Sequence, residues 1–185
     1  MLPNKNINYG ASFINPDSIV SSLGIEPGMR VAHFGCGTGF FTFPTARLIG
    51  EEGMVYAFDI LAEKIEAVMS RAKIDNLFNI VAKRINLEEK ESTEILEGDV
   101  DWVFIVNMLY ENENKAAVIV EAERILKPNG KILLIDWEDS DQSIGPKKEK
   151  RVSKDELTAI IKKLGMTLEK KIDVSNFHFG WIISK

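Results

Sequence analysis

Gly35, Gly37 and Gly39 stand at alternate positions about 20 residues ahead of a carboxylate, Asp59. Glycine reaches positive φ without a Cβ penalty and lets a ligand touch the main chain. A glycine turn that opens a helix also aims free N–H groups at the polar end of a ligand. A carboxylate at that distance can accept hydrogen bonds from ribose hydroxyls. These groups together suit a nucleoside cofactor. The spacing also separates two cofactor classes. A dinucleotide fingerprint, G-x-G-x-x-G, would place its third glycine at Phe40; here it falls one residue earlier, at Gly39. A nicotinamide oxidoreductase is therefore disfavoured. Cys36 lies inside the turn with no histidine placed to activate it, and reads as a small turn residue rather than a nucleophile.

A strand, a helix and a second strand must position these groups. Residues 30–34 are short and mostly apolar after the turn signal Glu26-Pro27-Gly28, as in a strand buried in a parallel sheet. Residues 40–49 read as a helix stopped by Gly50, with Pro44 early enough to be tolerated. Residues 54–58 read as the second strand, which ends on Asp59. Farther along, apolar runs at 80–83, 101–106 and 131–136 read as three more strands, with helices between them. Asn15-Pro16-Asp17 starts a leading helix; in doubly wound folds such a helix lies beside the cofactor mouth, so Phe13 and Asn15 are candidate lid residues, although packing and capping explain them as well. Ser153-x-x-Glu156 opens a late helix, and 166–172 with 178–183 read as an antiparallel closing hairpin. The expected architecture is α/β: a doubly wound, mostly parallel seven-stranded sheet with an antiparallel C-terminal hairpin. It forms one domain over 1–185, with 1–12 as a loose leader.

The run Val31-Ala32-His33-Phe34-Gly35-Cys36-Gly37-Thr38-Gly39 resembles the first motif of class I S-adenosylmethionine-dependent methyltransferases, commonly written V-L-D-x-G-C-G-T-G. Asp59 falls on that family's ribose-binding acid. The run from Glu121 to Gly130 resembles its E-A-x-R-V-L-K-P-G-G, a sharp helix-to-strand turn in which Asn129 takes the positive φ usually given to glycine. These matches cover nearly the whole chain from about Phe13. The resemblance implies a Rossmann-like methyltransferase fold, S-adenosyl-L-methionine as cofactor, and methyl transfer to a small molecule. It implies cofactor contacts from Gly35, Cys36, Gly37, Gly39 and Asp59. Ile60 would wall a purine ring, Asn86 would meet the adenine amino group through its amide oxygen beside Leu87, and Asn107 would lie near the cofactor at the end of the fourth strand.

One departure stands out. His33 occupies the place where the family usually has Asp or Glu, and either a core histidine or a direct ligand is compatible with the sequence. A cofactor-binding protein without turnover is therefore a second reading. Asn107-Met108-Leu109-Tyr110 keeps the outer residues of the N-P-P-Y motif without its prolines, and reads as an accidental match with Tyr110 lining a pocket. His178 reads as structural, with a base as the alternative. No catalytic residue is assigned, because displacement at a sulfonium asks mainly for proximity, alignment and exclusion of water.

Composition sets the remaining bounds. A chain of 185 residues with 45% hydrophobic content suits one domain with a full core. A single cysteine excludes a disulfide framework, and no Cys/His cluster has metal spacing. There is no signal-peptide pattern and no run of membrane-spanning length, so a cytoplasmic protein is expected. The net charge of −5 and pI of about 5.2 argue against broad nucleic-acid binding. The basic stretch from Lys147 to Lys154 keeps an RNA or protein acceptor as an alternative to the small molecule, although a hydrated loop explains it more simply. The acidic stretch 88–101 reads as a solvated helix or loop.

Overall fold

The computed structural model describes residues 14–139 and 144–185. Seven strands form one sheet in the order β3-β2-β1-β4-β5-β7-β6. β1 (Arg30–Phe34), β2 (Met54–Asp59), β3 (Ile80–Arg84), β4 (Val100–Val106) and β5 (Leu126–Trp137) run parallel. β7 (His178–Ser184) lies antiparallel between β5 and β6 (Thr167–Asp173). The expected mostly parallel, seven-stranded α/β sheet is thus observed. The chain winds outward through β1, β2 and β3, then returns to place β4 on the other side of β1. That reversal opens a crevice at the carboxyl ends of β1 and β4, where open α/β sheets bind ligands.

Alternation along the strands assigns the helices to two faces. Val31 of β1 packs with Ile19 and Val20 of α1 (Pro16–Ser22) and with Ala46 and Ile49 of α2 (Thr42–Ile49). Ile65, Val68 and Ala72 of α3 (Ala62–Ile74) pack with Phe43 of α2, on the same side. Ala32 and Phe34 turn the opposite way, onto Val118 and Ala122 of α4 (Lys115–Ile125) and Leu157 and Ile161 of α5 (Lys154–Lys163). Phe104 of β4 is fully buried and meets the rings of Phe41 and Trp102 edge-on. Truncating such a ring to alanine typically costs about 3–5 kcal/mol, so this packing fixes the strand that carries the site.

The boundaries follow local chemistry. Asn15 Oδ1 accepts the Ser18 N–H at 3.1 Å with Pro16 in the first turn, and Ser153 Oγ accepts the Glu156 N–H at 3.3 Å. The helix expected from residue 40 starts at Thr42, because Gly39 and Phe40 still belong to the turn. The fifth strand begins earlier than the apolar run suggests: Leu126 already pairs with Val100, and Asn129 takes φ 65° as expected. The acidic stretch is less solvated than its composition implies. Thr93 and Ile95 are buried, and Thr93 donates through both its N–H and its hydroxyl to Glu121 Oε1, which also pairs with Arg124. The Glu and Arg of the E-A-x-R run therefore tie this loop to α4, beyond the turn they introduce. Phe13 and the leader 1–12 lie outside the described residues. Among those described, no helix is long and apolar enough to cross a membrane, and no group of His, Cys, Asp and Glu could hold a metal ion.

Candidate functional site

Register brings the sequence motifs together. Phe34 sits beside Phe58 on one side and Ile105 on the other, so Gly35 and Asp59 follow level with Val106, and Asn107 comes one residue beyond at the end of β4. Cys36 N–H donates to Phe58 O at 2.8 Å and extends the ladder past the end of β1. Gly37 N–H donates to Asp59 Oδ2 at 2.9 Å, while Asp59 Oδ1 accepts the Leu61 N–H at 3.0 Å. The carboxylate therefore grips both the glycine turn and the chain leading into α3.

The three glycines differ in purpose, although all have positive φ. A Cβ on Gly35 would come within 2.7 Å of Met108, and one on Gly39 within 2.4 Å of the Phe43 ring. Those two glycines permit close packing. A Cβ on Gly37 would meet nothing within 4 Å; it would project into open space. Gly37 is the one that keeps the main chain bare.

That space belongs to a cavity of about 370 Å³ lined by Gly35, Gly37, Asp59, Ile60, Asn86, Leu87 and Asn107, seven of the nine residues expected from sequence. A second cavity of about 330 Å³ borders the same turn and adds Cys36 and His33. Gly39 lines neither. Ile60 is 55% exposed, an apolar side chain held at a mouth. Asn86 Oδ1 already accepts the Glu88 N–H at 3.1 Å, which leaves one lone pair for a ligand. Tyr110 donates to Glu111 and packs on the core rather than lining either cavity.

His33 is buried, with Nδ1 2.8 Å from Thr42 Oγ1, and burial pushes its pKa down to about 3. It is a neutral core histidine whose ring also borders the second cavity. Burial, helped by Asp59, pushes the Cys36 thiol up to about 12, which agrees with its reading as a turn residue. Asp136, fully buried near the end of β5, is pushed up to about 7 by burial, against the pull of the Trp137 N–H on Oδ1.

Asn107 carries the least expected geometry. It has φ 51°, its N–H donates to Ile135 O at 2.8 Å, and its Nδ2 lies 3.2 Å from His178 Nε2. Its Oδ1 is buried and has no partner among the described residues. Buried amide oxygens are seldom left unpaired, because the lost hydration is not recovered.

Two further residues line the site, Lys64 and Glu88. Lys64 lines both cavities from the first turn of α3, and helix phase from Asp59 would have suggested it. Glu88 accepts from Asn112 Nδ2 at 3.0 Å and from Asn114 N–H at 2.7 Å, which fastens the loop after β3 to the loop after β4 across the first cavity. Sequence spacing offered no signal for that clamp.

The comparisons agree with this geometry. The family described as methyltransferase domain matches residues 25–178. The chain belongs to that family. The resemblance to class I S-adenosylmethionine-dependent methyltransferases is thereby borne out, and S-adenosylmethionine is the family's cofactor. The ubiquinone/menaquinone biosynthesis C-methyltransferase of Shewanella pealeana is 29% identical over 122 residues, 64% of this chain and 46% of that relative. An arsenite methyltransferase of Aquipseudomonas alcaligenes is 25% identical over 134 residues, 69% of this chain and 36% of the relative. The chain thus spans about half the length, or less, of these two relatives. The crystal structure of a SAM-dependent methyltransferase from Aquifex aeolicus superposes with a TM-score of 0.83 at 23% identity, covering 93% of this chain and 90% of that one. It shares the fold.

The residues present fit the cofactor. Gly37 leaves bare main chain beside open space, Asp59 has lone pairs to spare, and Asn107 Oδ1 is an acceptor without a donor.

Proposed function

We propose that this chain transfers the methyl group of S-adenosylmethionine to a small-molecule acceptor, with the cofactor held in the cavity between the glycine turn and Asp59. The observation that carries this reading is the bond from Gly37 N–H to Asp59 Oδ2 at the head of a cavity that the predicted residues line. In this assignment the free lone pairs of Asp59 accept the ribose hydroxyls, and Ile60 covers one face of the adenine. The remaining Asn86 lone pair meets the adenine amino group. Gly35 and Gly37 bring main chain against the amino-acid end, and Asn107 accepts a hydrogen bond from it.

The cofactor supplies a methyl on a sulfonium, whose departure as a neutral thioether needs no proton. The protein's task is then to align the acceptor and exclude water. The groups bordering the two cavities suit an acceptor atom that is already nucleophilic at neutral pH. His33 is neutral and bonded to Thr42, and Cys36 is held as the thiol. The two named relatives act on different acceptors, one at carbon and one on arsenite, so the family alone does not select among substrates. Incubation with methyl-labelled cofactor and a panel of thiol, amine, arsenite and activated-carbon acceptors tests the assignment. Absence of S-adenosylmethionine binding by calorimetry would end it.

One observation favours a second reading, a protein that binds the cofactor without turnover. Where the family usually places a carboxylate, this chain has a neutral imidazole already bonded to Thr42. Restoring an acid, His33→Asp, distinguishes the two. A large gain in affinity would favour a site in decay, and no change would favour a working enzyme.

A further inference from the structure

Asn107, placed at the cofactor above, ends a hydrogen-bonded row whose other members, His178 and Ser175, methyl transfer as described above leaves unused. His178 is 7% exposed and lies at the start of β7, with its ring centroid 4.1 Å from that of Trp137. Its Nδ1 is 2.7 Å from Ser175 Oγ and its Nε2 is 3.2 Å from Asn107 Nδ2. Nδ2 can only donate, so Nε2 is the bare nitrogen and Nδ1 carries the proton, donated to Ser175 Oγ. Burial, with Arg151 nearby, pushes the ring's pKa down to about 4 and keeps it neutral in this tautomer.

We propose that His178 is a positioning residue of the cofactor site: it engages the amide nitrogen of Asn107 so that Oδ1 is kept free to accept a hydrogen bond from the ammonium of the bound cofactor. This rests on the cofactor assignment made above. The choice of donor follows from the layout. Asp59, Ile60 and Asn86 occupy the β2–β3 side of the cavity and take the adenosine. Asn107, on the β4 side, faces the other end of the molecule, where the ammonium is the group with N–H to give. Without His178 the carboxamide could rotate and present Nδ2 instead, which repels a cation. The left-handed backbone of Asn107 and its N–H bond to Ile135 fix the stem of the side chain, so the amide orientation is what His178 decides.

The test uses the full chain and titrates two ligands by calorimetry: S-adenosylmethionine, and 5′-methylthioadenosine, which lacks the amino-acid end. His178→Phe keeps a ring beside Trp137 but removes the acceptor. It should weaken S-adenosylmethionine about tenfold and leave methylthioadenosine unchanged. His178→Gln, whose side-chain amide oxygen restores an acceptor, should recover S-adenosylmethionine affinity to within about threefold. Unchanged binding in His178→Phe overturns the proposal, and so does equal loss in both variants or equal loss for both ligands. If His178→Phe fails to fold, Ser175→Ala decides: it frees the tautomer and should cost about threefold for S-adenosylmethionine, and no change refutes the role. Failure of the unaltered chain to bind S-adenosylmethionine removes the cofactor assignment, and this proposal with it. Binding there with none of the variant effects removes only the proposal.

Discussion

Gly37 and Asp59 are joined directly, main-chain N–H to carboxylate Oδ2 at 2.9 Å, although the whole of α2 separates them in the sequence. The turn and the acid form one hydrogen-bonded unit, so a ligand that meets one meets the other already in place. Such preorganisation lowers the ordering cost of binding.

Gly37→Ala and Gly39→Ala should therefore fail in opposite ways. The first sets a Cβ in open space at φ 52°, at a strain of about 1–2 kcal/mol, and obstructs the cavity. The second drives a Cβ to 2.4 Å from the Phe43 ring and damages packing. Thermal melts should show the larger loss for Gly39→Ala, while calorimetry on the folded Gly37→Ala chain should show cofactor affinity at least about tenfold weaker. Equal melting losses with retained binding would contradict this division.

Asp59→Ala removes an acceptor from two main-chain N–H groups as well as the proposed ribose contact. Hydrogen bonds to a charged acceptor contribute roughly 1.5–3 kcal/mol, so affinity should fall between about tenfold and a hundredfold. Asp59→Asn should lie between, since one oxygen survives. Titration of each variant with S-adenosylmethionine orders them.

Asp136 predicts a loss of stability as pH rises from acid to neutral. Its folded pKa is about 7 against an ordinary 3.8, raised by burial. Its favourable contribution is complete below about pH 4, where both folded and unfolded chains are protonated, and fades as pH rises through about 7. The penalty above that range is of the order of 4 kcal/mol at most. Melting temperature measured from pH 4 to 8 should fall through this window, and Asp136→Asn should flatten the decline. An unchanged profile would show that the folded chain accommodates the ionised acid.

Glu88 links two loops over the cavity through Asn112 and Asn114, and those bonds hold its carboxyl below the usual range. Glu88→Ala should weaken the cofactor about fivefold with little change in melting temperature, because the loops lose their tie while the core is untouched. A collapse in stability would mean that the clamp belongs to the fold.

Much of this was legible beforehand because local chemistry and tertiary need agree. The glycine turn, Asn15 before Pro16, Ser153 before Glu156 and Asn129 at positive φ each carry their geometry in residue type. Parallel pairing then brings Gly35 level with Asp59 and sets Asn107 just beyond them, at the carboxyl ends of neighbouring strands. What stayed hidden depends on pairings distant in sequence. Asn107 with His178 and Glu88 with Asn112 have no spacing rule, since they join loops whose paths are set by the whole sheet. The burial of Thr93 against Glu121 was masked in the same way by its acidic neighbours.

The placement of β7 between β5 and β6 also bears on how the protein is made. Synthesis runs from the N-terminus, so six strands emerge before the one that fills the gap, and six of the seven residues of that strand end up buried. Until it arrives, the backbone of β5 offers an unpaired row of donors and acceptors flanked by Leu133, Leu134 and Ile135. A chain truncated shortly before residue 178 would carry an adhesive flank, a natural client for chaperones.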